Sequence, residues 1–140
     1  MYLIDTNVIS EMRKGAGAHP GVVAFFGALD TDQLYLAVQT VGELRGGLER
    51  IRQRGDAAQA QRLQDWLDIL LADYESHVLD FDIDCAQIWS RLMAPGPQNP
   101  VDKQIAAIAL IHDLCVVTRN IRDFDATGVR LLNPWEQRAE

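Results

Sequence analysis

Apolar residues along this 140-residue chain alternate between short continuous runs and stripes that recur every three or four positions. The run at the N-terminus stops on Asp5-Thr6-Asn7, which predicts a buried first strand delivering a carboxylate to its own C-terminal end. Thr6 to Arg13 has the length of a short helix, capped by Asp5 or Thr6 and closed by Lys14-Gly15. After a loop over 15–21, Val22, Val23, Phe25, Phe26 and Leu29 predict a second short helix ending near Asp30. Leu34 to Val38 predicts the second strand. From Gln39 to Arg54, Val41, Leu44, Leu48 and Ile51 place one helix face on the core. Asp56 to Tyr74, rich in Ala, Gln and Leu, predicts a helix packed antiparallel on it.

The second half repeats the alternation. His77-Val78-Leu79 predicts a third strand, and Asp80-Phe81-Asp82-Ile83-Asp84 begins like a calcium loop. Cys85 stands where that loop needs glycine and Arg91 where it needs the bidentate Glu, so the run reads as a strand end and a helix cap. Ala86 to Met93 predicts a helix, 95–100 a rigid loop, and Asn99-Pro100-Val101-Asp102 a helix start with Asn as N-cap. Ile105, Ile108, Ala109 and His112 carry that helix's buried stripe. Leu114 to Val117 is a fully apolar strand ending on Thr118-Arg119-Asn120, followed by an edge strand over 129–132 and a docked turn over 133–136. Strands alternating with helices predict one domain over residues 1–140, a three-layer α/β fold with a mostly parallel sheet flanked by helices.

Composition adds bounds. Hydrophobic residues at 48% and charged residues at 24% are those of an ordinary globular protein. The longest apolar stretch is broken by His112 and Asp113, and no signal peptide is recognisable, so the expectation is a cytoplasmic protein without a membrane span. Cys85 and Cys115 lack metal-site spacing and read as core thiols. The net charge of -7 opposes nucleic-acid binding by bulk electrostatics. A cation among clustered acids would relieve part of that charge, and Arg45, Arg50, Arg52, Arg54 and Arg62 gather in one stretch.

The candidate chemistry rests on Asp5, Glu43, Asp102 and Asp123. Each has a plain reading alone: Asp5 caps a helix, Glu43 is solvated, and Asp102 complements a helix macrodipole by roughly 0.3–1 kcal/mol. Right-handed crossovers, however, put every strand's C-terminal end on one side of the sheet. Asp5 and the segment from Thr118 to Asp123 follow such ends, while Glu43 and Asp102 lie near helix N-termini that face the same crevice. Crowded carboxylates raise one another's pKa or recruit a cation. With oxygen donors only, that cation is Mg²⁺ or Mn²⁺. His19, His77 and His112 are isolated, and neither a Gly-x-Ser-x-Gly elbow nor a Walker phosphate loop occurs, which leaves metal-activated water attacking a phosphodiester. Gly46 and Gly47 bare the helix face beside Glu43. Two rivals remain at this point: a Mg²⁺-dependent phosphohydrolase with Asp5 as nucleophile, and a non-enzymatic phospho-acceptor or regulatory domain.

Five blocks carry a resemblance: Leu-Ile-Asp-Thr-Asn-Val-Ile-Ser from Leu3, Thr-Val-Gly-Glu-Leu-Arg-Gly-Gly from Thr40, Val-Asp-Lys-Gln-Ile-Ala-Ala-Ile-Ala from Val101, Val-Thr-Arg-Asn-Ile-Arg-Asp-Phe from Val117, and the closing Asn-Pro-Trp-Glu. In this order they resemble the PIN-domain ribonucleases, and more closely the toxins of VapBC toxin-antitoxin pairs. The resemblance implies an endoribonuclease using Mg²⁺ or Mn²⁺, with Asp5, Glu43 and Asp102 matching the three principal acids and Asp123 the fourth. Thr118 and Asn120 match polar residues that position water and the ion network, and Thr6 and Asn7 flank the first acid. Some relatives have an acid where this chain has Asn120. A homodimer and a small antitoxin that blocks the acidic groove are also implied. Arg45, Arg50 and Arg119 are the candidate contacts to RNA phosphate.

Overall fold

The computed structural model describes residues 1–136. Five parallel strands form one sheet in the order β3-β2-β1-β4-β5: β1 (Tyr2–Ile4), β2 (Leu34–Ala37), β3 (Val78–Leu79), β4 (Cys115–Val117) and β5 (Leu131–Leu132). The first strand made is the central one. Leu3 pairs with Val116 and Ile4 with Val117, and the Asp5 N–H donates to the Val117 carbonyl at 2.9 Å, so β1 and β4 end side by side.

Successive residues along a strand point to opposite faces, and the core divides accordingly. Ile4, Leu34, Leu36 and Val117 face a layer containing Val8 and Ile9 of α1 (Thr6–Met12), Val22 and Phe25 of α2 (Pro20–Gly27), Leu44 and Leu48 of α3 (Val38–Gln53), and Leu63 and Leu67 of α4 (Ala57–Asp73). Leu3, Ala37 and Val116 face the other layer, with Cys85 of α5 (Ile83–Met93), Ile105 and Ile108 of α6 (Pro100–His112), and Phe124 of α7 (Ile121–Phe124). The result is the expected α/β/α sandwich. Each fully buried Leu, Ile or Phe contributes about 1.5–3 kcal/mol by leaving water.

Several boundaries differ from the pattern's prediction. Val38 opens α3 instead of ending β2, because extended Ala37 serves as N-cap and the chain turns from strand into helix without a loop. Asp82 caps α5 by accepting from the Cys85 N–H at 2.9 Å, so that helix starts at Ile83, ahead of Ala86. Asn99 occupies the N-cap position of α6 with φ 53 and makes no side-chain cap bond; its carbonyl accepts from the Lys103 N–H instead. His112 is exposed, since α6 ends there and Asp113 turns left-handed at φ 54. Cys85 is fully buried, whereas Cys115 is only half-buried at the sheet's end.

The turn after β5 closes on the rest of the molecule. The Trp135 N–H donates to Asn133 Oδ1, the Trp135 ring lies 6.0 Å from His19, and the Arg119 guanidinium stacks over it at 5.1 Å. Gly21 is packed against the Pro134 carbonyl with no room for a side chain. Gly21→Ala is therefore expected to force the turn off α2 and to destabilise the protein by roughly 1–3 kcal/mol. Thermal unfolding checks this; an unchanged melting temperature would show that the turn is not held.

Candidate active site and metal centre

Asp5 is the best-held acid. It is 4% exposed, and as the N-cap of α1 it has extended backbone that aims its carboxylate past the end of β1. Oδ1 accepts from the Thr6 N–H at 2.9 Å, and Oδ2 accepts from Thr118 Oγ1 at 2.8 Å and Asn7 Nδ2 at 3.2 Å. Burial nevertheless pushes its pKa above the ordinary value, against those hydrogen bonds, and the nearby Glu43 charge adds to the rise.

Thr118 extends the end of β4 and is fully buried. Its Oγ1 also accepts from the Asn120 N–H at 3.0 Å and from Asn7 Nδ2 at 3.3 Å. Asn7 Oδ1 accepts from the Arg119 N–H at 3.1 Å. One amide side chain thus ties the first strand's end to the fourth's. On the other flank Thr6 Oγ1 donates to Glu43 Oε1 at 2.8 Å and lies 3.2 Å from Thr40 Oγ1. Glu43 itself is exposed, so this hydroxyl is what steadies it.

Asp102, in the first turn of α6, is pushed up to about 6 by burial, then by the charges of Asp5, Asp123 and Glu43 in that order. All four sequence-predicted acids therefore share one electrostatic neighbourhood. Among the described residues the ion pairs are Lys14–Glu11, Arg52–Glu49 and Arg130–Asp113, so none neutralises any of the four. Lys103, adjacent in sequence, is buried and turned away, with Nζ 3.3 Å from the Gly96 carbonyl. An all-oxygen, uncompensated anionic set suits a hard divalent cation. Among the described residues, no three His, Cys, Asp or Glu side chains stand close enough to hold an ion as they are.

The arginines are spread around this centre. Arg45 is held by Gln64 of α4 at 2.8 Å, while Arg50 lies across Gly46 and Gly47 toward Glu43. Arg119 and Arg122 line a separate cleft with Asn120 and Asp123. Thr40, Lys103 and the Gln39–Gln104 pair, 3.3 Å apart, were not anticipated. Thr40 lies one helical turn before Glu43, and that spacing could have revealed it. Gln39 Oε1 is buried beside the Glu43 cleft with no partner among the described residues.

The PIN domain family model matches residues 2–129. The VapC ribonuclease Y4jK of Sinorhizobium fredii is 37% identical, covering 97% of this chain and 99% of its own, and the toxin FitB of Neisseria gonorrhoeae is 32% identical, covering 96% and 99%. The crystal structure of FitAcB from Neisseria gonorrhoeae superposes with a TM-score of 0.89 at 31% identity, over 98% of this chain and 100% of that one. With the family model matched over residues 2–129 and relatives matched end to end, this chain belongs to the PIN-domain family and stands among its VapC-type members.

Proposed function

We propose that the protein is a Mg²⁺- or Mn²⁺-dependent endoribonuclease acting in the cytoplasm as the toxin of a toxin-antitoxin pair. The observation that carries this reading is the Asp5 carboxylate held at the end of β1 by Thr118, Asn7 and the Thr6 N–H, with Glu43, Asp102 and Asp123 near enough for their charges to act on one another and none of the four in an ion pair among the described residues. Asp5, Asp102 and Asp123 would hold the cation, with Glu43 binding directly or through water. Bound there, it would supply Lewis-acid polarisation of the scissile phosphodiester and a more acidic water.

The chain's own residues do the rest. Thr118, Asn7 and the Thr6 N–H fix the Asp5 carboxylate, so its orientation need not be found during each turnover. Thr6 engages Oε1 of Glu43 and leaves Oε2 to accept a proton from the attacking water. Asn120 is held through its backbone on Thr118 and lines a cleft with Asp123, where its side chain would add an oxygen donor without charge. An Asp5-nucleophile mechanism is disfavoured, because such enzymes place a second Asp two residues on, where this chain has Asn7.

The acidic centre also suits blockade by a basic side chain from an antitoxin, which would replace the cation's charge. Homodimerisation belongs to the same reading. We expect the purified pair to be inactive and to stay so on adding Mg²⁺ until the antitoxin is removed.

The decisive experiment incubates antitoxin-free protein with total cellular RNA in Mg²⁺, Mn²⁺ or EDTA, alongside Asp5→Asn. Discrete fragments that require metal and disappear with the variant are the expected result. Equal cleavage by the variant would mean a contaminating nuclease, and no cleavage with a metal-dependent rise in melting temperature would favour the regulatory alternative.

A further inference from the structure

Asp5 and Glu43 are steadied by hydrogen-bond donors, but the Asp102 carboxylate accepts no hydrogen bond among the described residues. Its distance from Glu43 therefore depends on how α6 sits against α3. The two helices meet across a cleft of about 330 Å³ lined by Gln39, Gly42, Glu43, Gly46 and Arg50 of α3 and by Val101 of α6. Gln39, Glu43 and Gly46 share one face of α3, being three or four residues apart, as do Val101 and Gln104 on α6. A Cβ at Gly42 would meet nothing within 4 Å, so the cleft leaves room between the helices.

Among the described residues, one side-chain hydrogen bond joins α3 to α6: Gln39 Nε2 donates to Gln104 Oε1 at 3.3 Å. That is long for an N–H···O bond, whose usual length is about 2.9–3.0 Å. Gln39 Oε1, on the same amide, is buried and accepts from nothing; among the described residues it is the one buried side-chain nitrogen or oxygen without a partner. A buried carbonyl that has left water without gaining a donor is costly, and such groups are rare in folded proteins. Gln104 Nε2 belongs to the amide that Gln39 already contacts, and it is a donor. Two primary amides can exchange a pair of N–H···O bonds, and here half of that pair is made. The acids are incomplete in the same sense, since among the described residues no three stand close enough to hold an ion.

We propose that Gln39 and Gln104 are positioning residues: completing their amide pair draws α3 and α6 to the spacing at which Glu43 and Asp102 engage one divalent cation. The inference rests on the metal-dependent reading of the site and adds two uncharged residues that act through the acids. The cleft supplies the space for the approach, and Gln104 Nε2 supplies the donor that Gln39 Oε1 lacks. The unpartnered carbonyl is a cost of the open arrangement that closure removes, so the amide itself favours the arrangement that binds the ion. Partners that orient metal ligands are typically worth roughly 10–100-fold in metal affinity.

The test is Mn²⁺ binding by antitoxin-free full-length protein, read from the loss of the free ion's electron paramagnetic resonance signal. Gln39→Met and Gln104→Met keep the length of the side chain and remove the amide. Each should weaken Mn²⁺ binding about tenfold. The double variant should also lose about tenfold, where independent residues would together lose about a hundredfold. In EDTA, Gln39→Met should melt at or above the wild-type temperature, because the unpartnered carbonyl is gone. An amide with only a structural role would do the reverse, lowering the melting temperature and leaving Mn²⁺ affinity unchanged.

Wild-type Mn²⁺ affinity in both single variants would overturn the proposal, as would additive losses in the double variant or a lower melting temperature for Gln39→Met in EDTA. RNA cleavage in Mn²⁺ by the same wild-type preparation separates the two layers. Binding and cleavage by wild type, with the variants unaffected, sinks only the amide pair. Binding without cleavage, with the variants weakened, keeps the amide pair and sinks the ribonuclease reading, and neither binding nor cleavage sinks both.

Discussion

Asp102→Asn is expected to reduce RNA cleavage by about three orders of magnitude and, in the same molecule without metal, to raise the melting temperature. Under the proposed function the first effect follows because a charged group beside the reacting phosphate would supply several kcal/mol of transition-state stabilisation through the cation it would hold, and each 1.36 kcal/mol is a factor of about ten in rate. The second follows from the carboxyl's pKa of about 6 in the folded protein against an ordinary value of 3.8. Between those values the folded state binds the proton more tightly than the unfolded state, so stability falls as pH rises. The penalty is absent below 3.8, grows as the pH climbs, and is complete above about 6. Asn carries no charge to repel Asp5, Asp123 and Glu43. Its advantage should therefore be greatest above pH 6 and should fade on acidification, and Mg²⁺ should stabilise wild type more than the variant. Thermal melts across this pH range, with and without Mg²⁺, measure all three trends. A variant less stable than wild type above pH 6 in EDTA would show that the acids are not in conflict.

Thr118→Val is expected to lower cleavage by roughly 10–100-fold and to destabilise the protein by about 1–3 kcal/mol. The side chains are nearly the same shape, so the change isolates one hydroxyl. That hydroxyl donates to Asp5 Oδ2 and accepts from the Asn120 N–H, and it is fully buried. Without it, Asp5 Oδ2 keeps only the longer bond from Asn7, and the Asn120 amide loses its partner. Thr118→Ser should recover most of both losses. The experiment reads initial cleavage rates and urea melts, and a Val variant cutting at the wild-type rate would deny Thr118 any part in positioning Asp5.

The pattern of apolar positions was sufficient for the sandwich because each strand has a different set of residues for each face. Leu3 and Ile4, adjacent in sequence, enter opposite layers, and Val116 and Val117 do the same. That Asp5, Glu43 and Asp123 lie within electrostatic reach of Asp102 was legible from topology, since parallel strands end together. What could not be read was geometry between side chains. Nothing in the spacing of Asn7 indicates that it bridges Asp5, Thr118 and Arg119, because that contact joins positions more than a hundred residues apart. Buried Lys103 was hidden for a similar reason: its partner is a backbone carbonyl in a loop, and carbonyls have no sequence signature. His112 was misplaced by periodicity, which does not indicate where a stripe passes out from under its cover.

The pairing of β1 with β4 also orders events in time. Asp5 is synthesised before the strand and hydroxyl that complete its surroundings, which lie at Cys115–Val117 and Thr118. Closing so long a loop is slow and must wait until the later strand has been made. A nascent chain stopped short of that point carries three of the four acids but lacks β4, the strand that ends beside β1 and leads into Thr118. The cutting centre is thus among the last features of the molecule to form, and a growing polypeptide passes most of its synthesis without one.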